Sequence, residues 1–340
     1  MSIVDDILEQ FGENSVVLGS EEIDFINTGS ISLNASIGTP GIPMGRVTEI
    51  FGPEGSAKTT LGLSISKRCI LEKKMKVLYI DVEQMLDYNT IEVMLGAPLT
   101  IDDGLILSRP STAEQAFNIA EYGIKSKQFG AIIFDSVGAL SPQKEREDDF
   151  EDANVALISR MITKFLRRNA DSIRNNRVAF VFINQVRDNV GGYIKSFATP
   201  GGHALKHFSA LRISLYPSEK IKQGNEIIGV NSKFTIAKNK MSSPFKTYYF
   251  PVIFGKGVDY FSDLVNFAME LGVIERKGAF YKFNGDTIGK GAIAVMDFLK
   301  LKESKPTLDK IEELVYNIVR NHNIVLEKLE EIVESEEKDE

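Results

Sequence analysis

Val47-Thr48-Glu49-Ile50-Phe51-Gly52-Pro53-Glu54-Gly55-Ser56-Ala57-Lys58-Thr59-Thr60 is the stretch that decides the fold of this 340-residue chain. Val47 to Phe51 predicts a buried strand, the glycines predict a tight loop from Gly52, and a helix is expected to begin near Thr60. Strand, glycine-containing loop and helix in that order make an anion cradle, in which backbone N–H groups and the helix N-terminus surround phosphate oxygens. Lys58 is placed to neutralise β and γ oxygens, and Thr59 to offer a hydroxyl to Mg²⁺. Gly52, Pro53, Glu54, Gly55, Ser56, Ala57, Lys58, Thr59 and Thr60 therefore form a candidate nucleotide loop with ATP and Mg²⁺ as expected ligands. The pattern G-x-x-x-x-G-K-[ST] is matched except at Ala57, which stands in place of its second glycine. A β-carbon in left-handed backbone costs about 1–2 kcal/mol, enough to slow turnover or distort the loop without abolishing binding. An ordinary glycine turn before a helix shares these features, so a second signal is required.

That signal is Asp135, at the end of the apolar run Ala131-Ile132-Ile133-Phe134-Asp135. A strand that delivers an acid is expected for the Mg²⁺-associated carboxylate of such ATPases, although strand-end aspartates also cap turns. Around these two signals, residues 77–82, 131–137 and 178–186 read as buried strands, and 61–73, 112–127 and 154–175 as helices. The alternation predicts an α/β fold, a phosphate-loop ATPase core with a mainly parallel twisted sheet flanked by helices. Segments 211–216, 233–238 and 247–254 read as hairpin strands that extend the same sheet. Beyond Gly255, short helices at 261–271, 293–301 and 308–321 surround a glycine-punctuated stretch, 277–291, and predict a small α+β C-terminal domain. The expected organisation is a short N-terminal helical segment (1–28), the core (29–254), the C-terminal domain (255–323) and an acidic, solvated, disordered tail (324–340). No internal repeat is found.

The formal net charge is -7. Eight acidic residues against two lysines between Val325 and Glu340 give that tail a net of -6, so the rest of the chain carries about -1 and is free to present a basic face. The single cysteine, Cys69, excludes an intramolecular disulfide framework. No apolar stretch approaches the roughly 20 residues of a membrane helix, and the start Met1-Ser2-Ile3-Val4-Asp5-Asp6 is no secretory signal. A cytoplasmic location and no membrane partner are expected.

With these residues in view, the chain resembles the RecA-type recombinases, a bacterial family with phage-encoded members, from Phe11 to about Val319. The resemblance is carried by Thr28-Gly29-Ser30, Pro43-Met44-Gly45-Arg46, Gly52-Pro53-Glu54 with Lys58-Thr59-Thr60, Asp81-Val82-Glu83, Phe134-Asp135-Ser136-Val137, Phe182 to Arg187, Gly201 to Lys206, and Lys238-Asn239-Lys240 with Pro244-Phe245. It implies that Glu83 activates the water that attacks the γ-phosphate. It further implies that Gln185 senses that phosphate for an adjoining DNA loop, and that Tyr88 stacks on adenine, with a spacing shifted by about one residue. Lys238 and Lys240, expected on one face of a strand end, would complete a neighbouring subunit's ATP site. His207, where the family has an aromatic, reads as a core histidine.

The resemblance also implies DNA loops at 143–154 and 187–206. Arg160, Lys164 and Arg167, with Arg168 beside them, form a basic stripe on one helix. In the second loop, Arg187, Lys195, Phe197, Gly201, Gly202 and Lys206 combine cations, an aromatic and glycines, as sequence-independent single-strand binding requires. The first loop is strongly acidic between Glu145 and Asp152, which fits phosphate contact poorly. The implied protein filaments on single-stranded DNA, pairs it with double-stranded DNA, and works beside single-strand-binding and mediator proteins in DNA repair and the SOS response. Two other readings stay open: a hexameric helicase of the same fold, and a nucleotide-binding regulator that hydrolyses little because of Ala57.

Overall fold

The computed structural model describes residues 2–12, 22–96, 104–144, 155–186 and 202–336. At the N-terminus, α1 (Ile3–Phe11) starts at a capping box in which the Asp5 amide donates to Ser2 Oγ and the Ser2 amide to Asp5 Oδ2. None of its residues is buried. A short ladder of β1 (Phe25–Ile26) and β2 (Ile42–Pro43) then brackets α2 (Ile31–Ile37), every residue of which is buried.

The core contains β3 (Val47–Gly52), α3 (Lys58–Lys73), β4 (Lys76–Asp81), α4 (Tyr88–Leu95), β5 (Leu105–Ser108), α5 (Ala113–Ser126) and β6 (Phe129–Asp135). It continues through α6 (Val155–Asn175), β7 (Ala179–Gln185), α7 (Gly202–Phe208), β8 (Leu211–Gln223), β9 (Glu226–Asn239), β10 (Thr247–Ile253) and β11 (Gly257–Val258). Nine strands form one sheet in the order β11-β10-β9-β8-β3-β7-β6-β4-β5. From β8 to β5 the neighbours are parallel; β8, β9, β10 and β11 pair antiparallel. This is the expected α/β sheet with its hairpin extension.

Alternation along the strands divides the core into two layers. Tyr79, Ile133, Val181 and Ile183 face α3 with Leu61, Ile65 and Cys69. Leu78, Ile80, Phe134, Phe180 and Phe182 face α5 and α6, where Phe117 and Phe165 extend a run of ring contacts. Gly62 lets α3 approach the sheet closely. A β-carbon there would lie 2.9 Å from Ile183 Cδ1 and 3.3 Å from the Tyr79 hydroxyl.

Three expectations are corrected. The helix after the loop begins at Lys58 rather than near Thr60, because Ala57 turns the chain through φ 67° and the first helical turn follows at once. Strands expected at 211–216 and 233–238 run on as a long hairpin whose outer part, rich in Lys and Glu, is mostly exposed. Register shifts between Pro217 and Lys220 and between Ile221 and Lys222 break its apolar alternation. The acidic end is not a disordered coil from 324, since the last helix continues through Glu336.

That helix, α10 (Lys305–Glu336), packs with α8 (Tyr260–Glu270), α9 (Ala292–Lys300) and a three-stranded sheet of β12 (Glu275–Lys277), β13 (Phe280–Phe283) and β14 (Asp286–Lys290). Their core includes Leu264, Ala268, Val295, Leu299, Ile311 and Val315 and takes in Ile31 and Ala35 of α2. Asp263 of α8 fastens the two parts together: its Oδ2 accepts from Ser30 Oγ at 2.7 Å and from the Ser32 amide at 3.1 Å. Burial pushes its carboxyl up to about 6, against the lowering effect of those bonds.

Candidate nucleotide site and DNA face

Parallel pairing aligns the carboxyl ends of β3, β6, β4 and β7, with Asp81 opposite Asp135 and Gly52 opposite Gln185. Ligands bind at that edge of open α/β sheets, and here it opens into a cavity of about 310 Å³. Its lining runs from Glu54 to Thr60 and adds Glu83, Asp135 and Gln185, four separate regions of sequence. Gly52 and Pro53 lead into it at the end of β3.

Ala57 adopts φ 67° and ψ 24°, the left-handed conformation that its position in the pattern predicts. Its carbonyl accepts the Leu61 amide and so starts the α3 ladder. Ser232 of β9 supports the loop from the side, donating to the Ser56 carbonyl at 3.0 Å. Lys58 is 8% exposed, and its Nζ donates to the Pro53 carbonyl at 2.6 Å. Burial holds its ammonium below the usual lysine range, opposed by the charges of Asp135, Glu83 and Glu54. Ala57→Gly is expected to stabilise the nucleotide-free chain by about 1 kcal/mol, read as a higher melting temperature, and to raise turnover at saturating ATP.

Asp135 is buried, and its Oδ2 accepts from Thr59 Oγ1 and from the Tyr79 hydroxyl, each at 2.7 Å. Desolvation raises its carboxyl to about 6, opposed by these two bonds. Thr59 gives its proton to the carboxylate, which leaves its oxygen lone pairs for a cation. Among the described residues no group of three His, Cys, Asp or Glu could hold a metal ion unaided. One hydroxyl and one carboxylate beside a phosphate cradle suit Mg²⁺, a cation that enters with nucleotide phosphates and keeps several waters. The residues therefore fit a nucleotide-borne Mg²⁺.

Glu83, two residues past β4, accepts at Oε1 from Ser136 Oγ at 2.6 Å and from Gln185 Nε2 at 2.9 Å. The expected base and the expected sensor are thus in direct contact. Val230, Val252 and Phe254 complete the wall; none was expected, although Phe254, 59% exposed beside Gly255, is an aromatic at a strand end.

Two of the expected nucleotide contacts, Tyr88 and the lysine pair, are not among the residues that line this cavity. Tyr88 opens α4, is half exposed, and does not line the cavity. The Leu86 amide donates to Asp81 Oδ2, and Asp87 caps α4 by accepting from the Thr90 amide. Lys238 is the penultimate residue of β9, and Lys240 follows its last residue, Asn239, whose side chain donates to the Ile37 carbonyl; the Lys240 amide donates to the Ala210 carbonyl at 2.9 Å. Lys240 is exposed. Lys238 Nζ donates to the Lys206 and His207 carbonyls at 2.7 and 3.0 Å, in the last turn of α7. Its ammonium is held below the usual range by burial and then by repulsion from Lys240 and Arg212. Beneath it, Glu49 is fully buried and accepts from Arg212 Nε at 2.5 Å and Asn184 Nδ2 at 3.0 Å. His207 is exposed, so the core reading fails: α7 is short, and among the described residues the imidazole makes a T-shaped contact with Phe208.

Arg160, Lys164 and Arg167 are exposed together on α6 and line an open groove of about 600 Å³ with Ser159, Thr163 and Arg168. Arg168 is partly committed to an ion pair with Glu121 of α5 at 3.0 Å. Lys206 and the backbone of Gly202 belong to α7. Arg187, Lys195, Phe197 and Gly201 lie outside the described residues, as do the acids from Glu145 to Asp152.

Comparison with known families gives two matches in chain order: the RecA N-terminal domain over residues 1–259 and the RecA C-terminal domain over residues 262–320. The chain belongs to the RecA family. It is 35% identical to Protein RecA of Ectopseudomonas oleovorans over 314 residues, covering 91% of this chain and 88% of the relative. It is 36% identical to Protein RecA of Syntrophus aciditrophicus (strain SB) over 318 residues, covering 92% and 91%. Membership of the family assigns homologous recombination as its role.

Proposed function

We propose that this chain is a DNA-dependent ATPase that filaments on single-stranded DNA and promotes its pairing and exchange with a homologous duplex. The observation that carries the reading is the Gln185–Glu83 hydrogen bond beside the phosphate loop, at the residue from which the chain passes directly into the 187–201 segment. Loop amides and Lys58 would bind the triphosphate, while Thr59 and Asp135 would hold its Mg²⁺. The cation would supply charge neutralisation at the β and γ oxygens. Glu83 would take a proton from the attacking water. Gln185 is one of two donors on Glu83 Oε1, the other being Ser136 Oγ, so transfer of its amide to a γ-phosphate would relieve that oxygen of one hydrogen bond and displace the start of the DNA loop in a single exchange.

Lys240, and Lys238 once released from α7, would serve the ATP of an adjacent subunit, which makes hydrolysis depend on assembly. Single-stranded DNA would run along Arg160, Lys164 and Arg167 and the residues of the second loop. Single-strand-binding and mediator proteins are the partners this reading calls for, in the cytoplasm; among the described residues no helix is long and apolar enough to cross a membrane. The test is ATP hydrolysis with and without single-stranded DNA, together with electron microscopy. Strong stimulation and open helical filaments support the proposal; closed rings would indicate a helicase. A second reading, a regulator that binds nucleotide and hydrolyses little, draws on the left-handed Ala57, and DNA binding without turnover would establish it. Arg167→Ala is expected to weaken single-strand binding and to reduce the log–log salt slope by about 0.7, the value of one lost phosphate contact; an unchanged slope removes Arg167 from the DNA face.

A further inference from the structure

Tyr79 lies in the middle of β4 and is fully buried under α3, in the apolar cluster that includes Ile133, Ile183 and Leu61. A phenylalanine would fill that space equally well, and a buried hydroxyl is costly unless it is bonded. The hydroxyl has one described partner, Asp135 Oδ2 at 2.7 Å, the same oxygen that Thr59 reaches from α3. Two donors, one from inside the sheet and one from the first turn of the helix, therefore converge on one carboxylate oxygen. We infer that Tyr79 is a positioning residue for the metal–nucleotide site: it locks the Asp135 carboxylate in the rotamer that accepts the Thr59 proton, and so keeps the Thr59 oxygen turned toward the bound cation. The inference rests on the reading of this cavity as a Mg²⁺–nucleotide site.

The linkage has a particular use in this chain. Ala57 holds its left-handed turn against the steric demand of its own β-carbon, and Lys58 and Thr59 follow immediately. A bond from Thr59 through Asp135 to the centre of the sheet anchors the helical turn after that strained residue. Were the phenol absent, the carboxylate would keep Thr59 alone as its described side-chain donor and could swing with it.

The experiment is a titration of a fluorescent ATP analogue into the full chain and its Tyr79→Phe variant, in Mg²⁺ and in excess chelator. Expected is a loss of about tenfold in the Mg²⁺-dependent gain in affinity, with affinity in chelator unchanged. In an Asp135→Ala background, Tyr79→Phe should change nothing further, because the residue acts through that carboxylate. Equal Mg²⁺-dependent gains in wild type and Tyr79→Phe would overturn the inference, as would a loss that persists in the Asp135→Ala background. A wild-type chain whose nucleotide binding ignores Mg²⁺ would instead overturn the metal-site reading beneath it. If Tyr79→Phe does not fold, the wild-type chain carrying ¹³C at tyrosine Cζ decides. The Tyr79 resonance should move when Mg²⁺ is added to the nucleotide-bound protein, and a resonance that stays put refutes the role.

Discussion

Glu83→Gln is expected to lower DNA-stimulated ATP hydrolysis by about 10²- to 10⁴-fold, the usual contribution of a positioned general base, while nucleotide affinity stays close to that of the wild type. The separation follows from the site. Among the described residues the Glu83 carboxylate accepts hydrogen bonds from Ser136 and Gln185 rather than from the phosphate loop, and a glutamine oxygen can still accept both. What is lost is the capacity to take a proton, together with one of the negative charges that act on Lys58. The measurement is steady-state hydrolysis beside equilibrium binding of an ATP analogue. A variant that binds and still hydrolyses at the wild-type rate would show that the base lies elsewhere.

Lys58→Ala should fail one step earlier. Truncating a buried, hydrogen-bonded charge that faces a charged partner costs 2 kcal/mol or more, so ATP affinity should fall by at least about 30-fold, and hydrolysis with it. Stability without nucleotide should move far less. The ammonium is buried at a cost that depresses its pKa, and removing it recovers that cost while leaving Asp135, Glu83 and Glu54 to repel one another. Calorimetric binding beside thermal melting distinguishes the two quantities. Retained affinity with a collapsed melting temperature would make Lys58 a structural residue.

Much of this arrangement is legible in the sequence because local chemistry and tertiary position agree. Val77 to Ile80 and Ile132 to Phe134 are strands for any reader of β-branched and aromatic runs, and an acid that closes such a run has few places to go but the sheet edge. Ala57 announces its own left-handed backbone, since the pattern it interrupts requires one. What stays hidden is whatever depends on a distant partner. Glu49 within a buried strand makes sense only beside Arg212, which meets it from 163 residues further along the chain across the parallel β3–β8 ladder. The Tyr79 hydroxyl is invisible in an apolar run until Asp135 is placed beside it. Lys238 reads as a free cation until α7 supplies two carbonyls. The start of α4 at Tyr88, by contrast, is legible in the Asp87 that caps it.

The last helix carries a mechanical consequence. At 1.5 Å per residue, the 32 residues of α10 span about 48 Å. A coil of that length could curl back over the body from which it emerges; a helix is a spar with a set bearing. The acidic residues beyond Val325 are thus strung along a stiff arm for most of their number. Helical rise spaces those charges along an axis, where a coil would let them gather at one point.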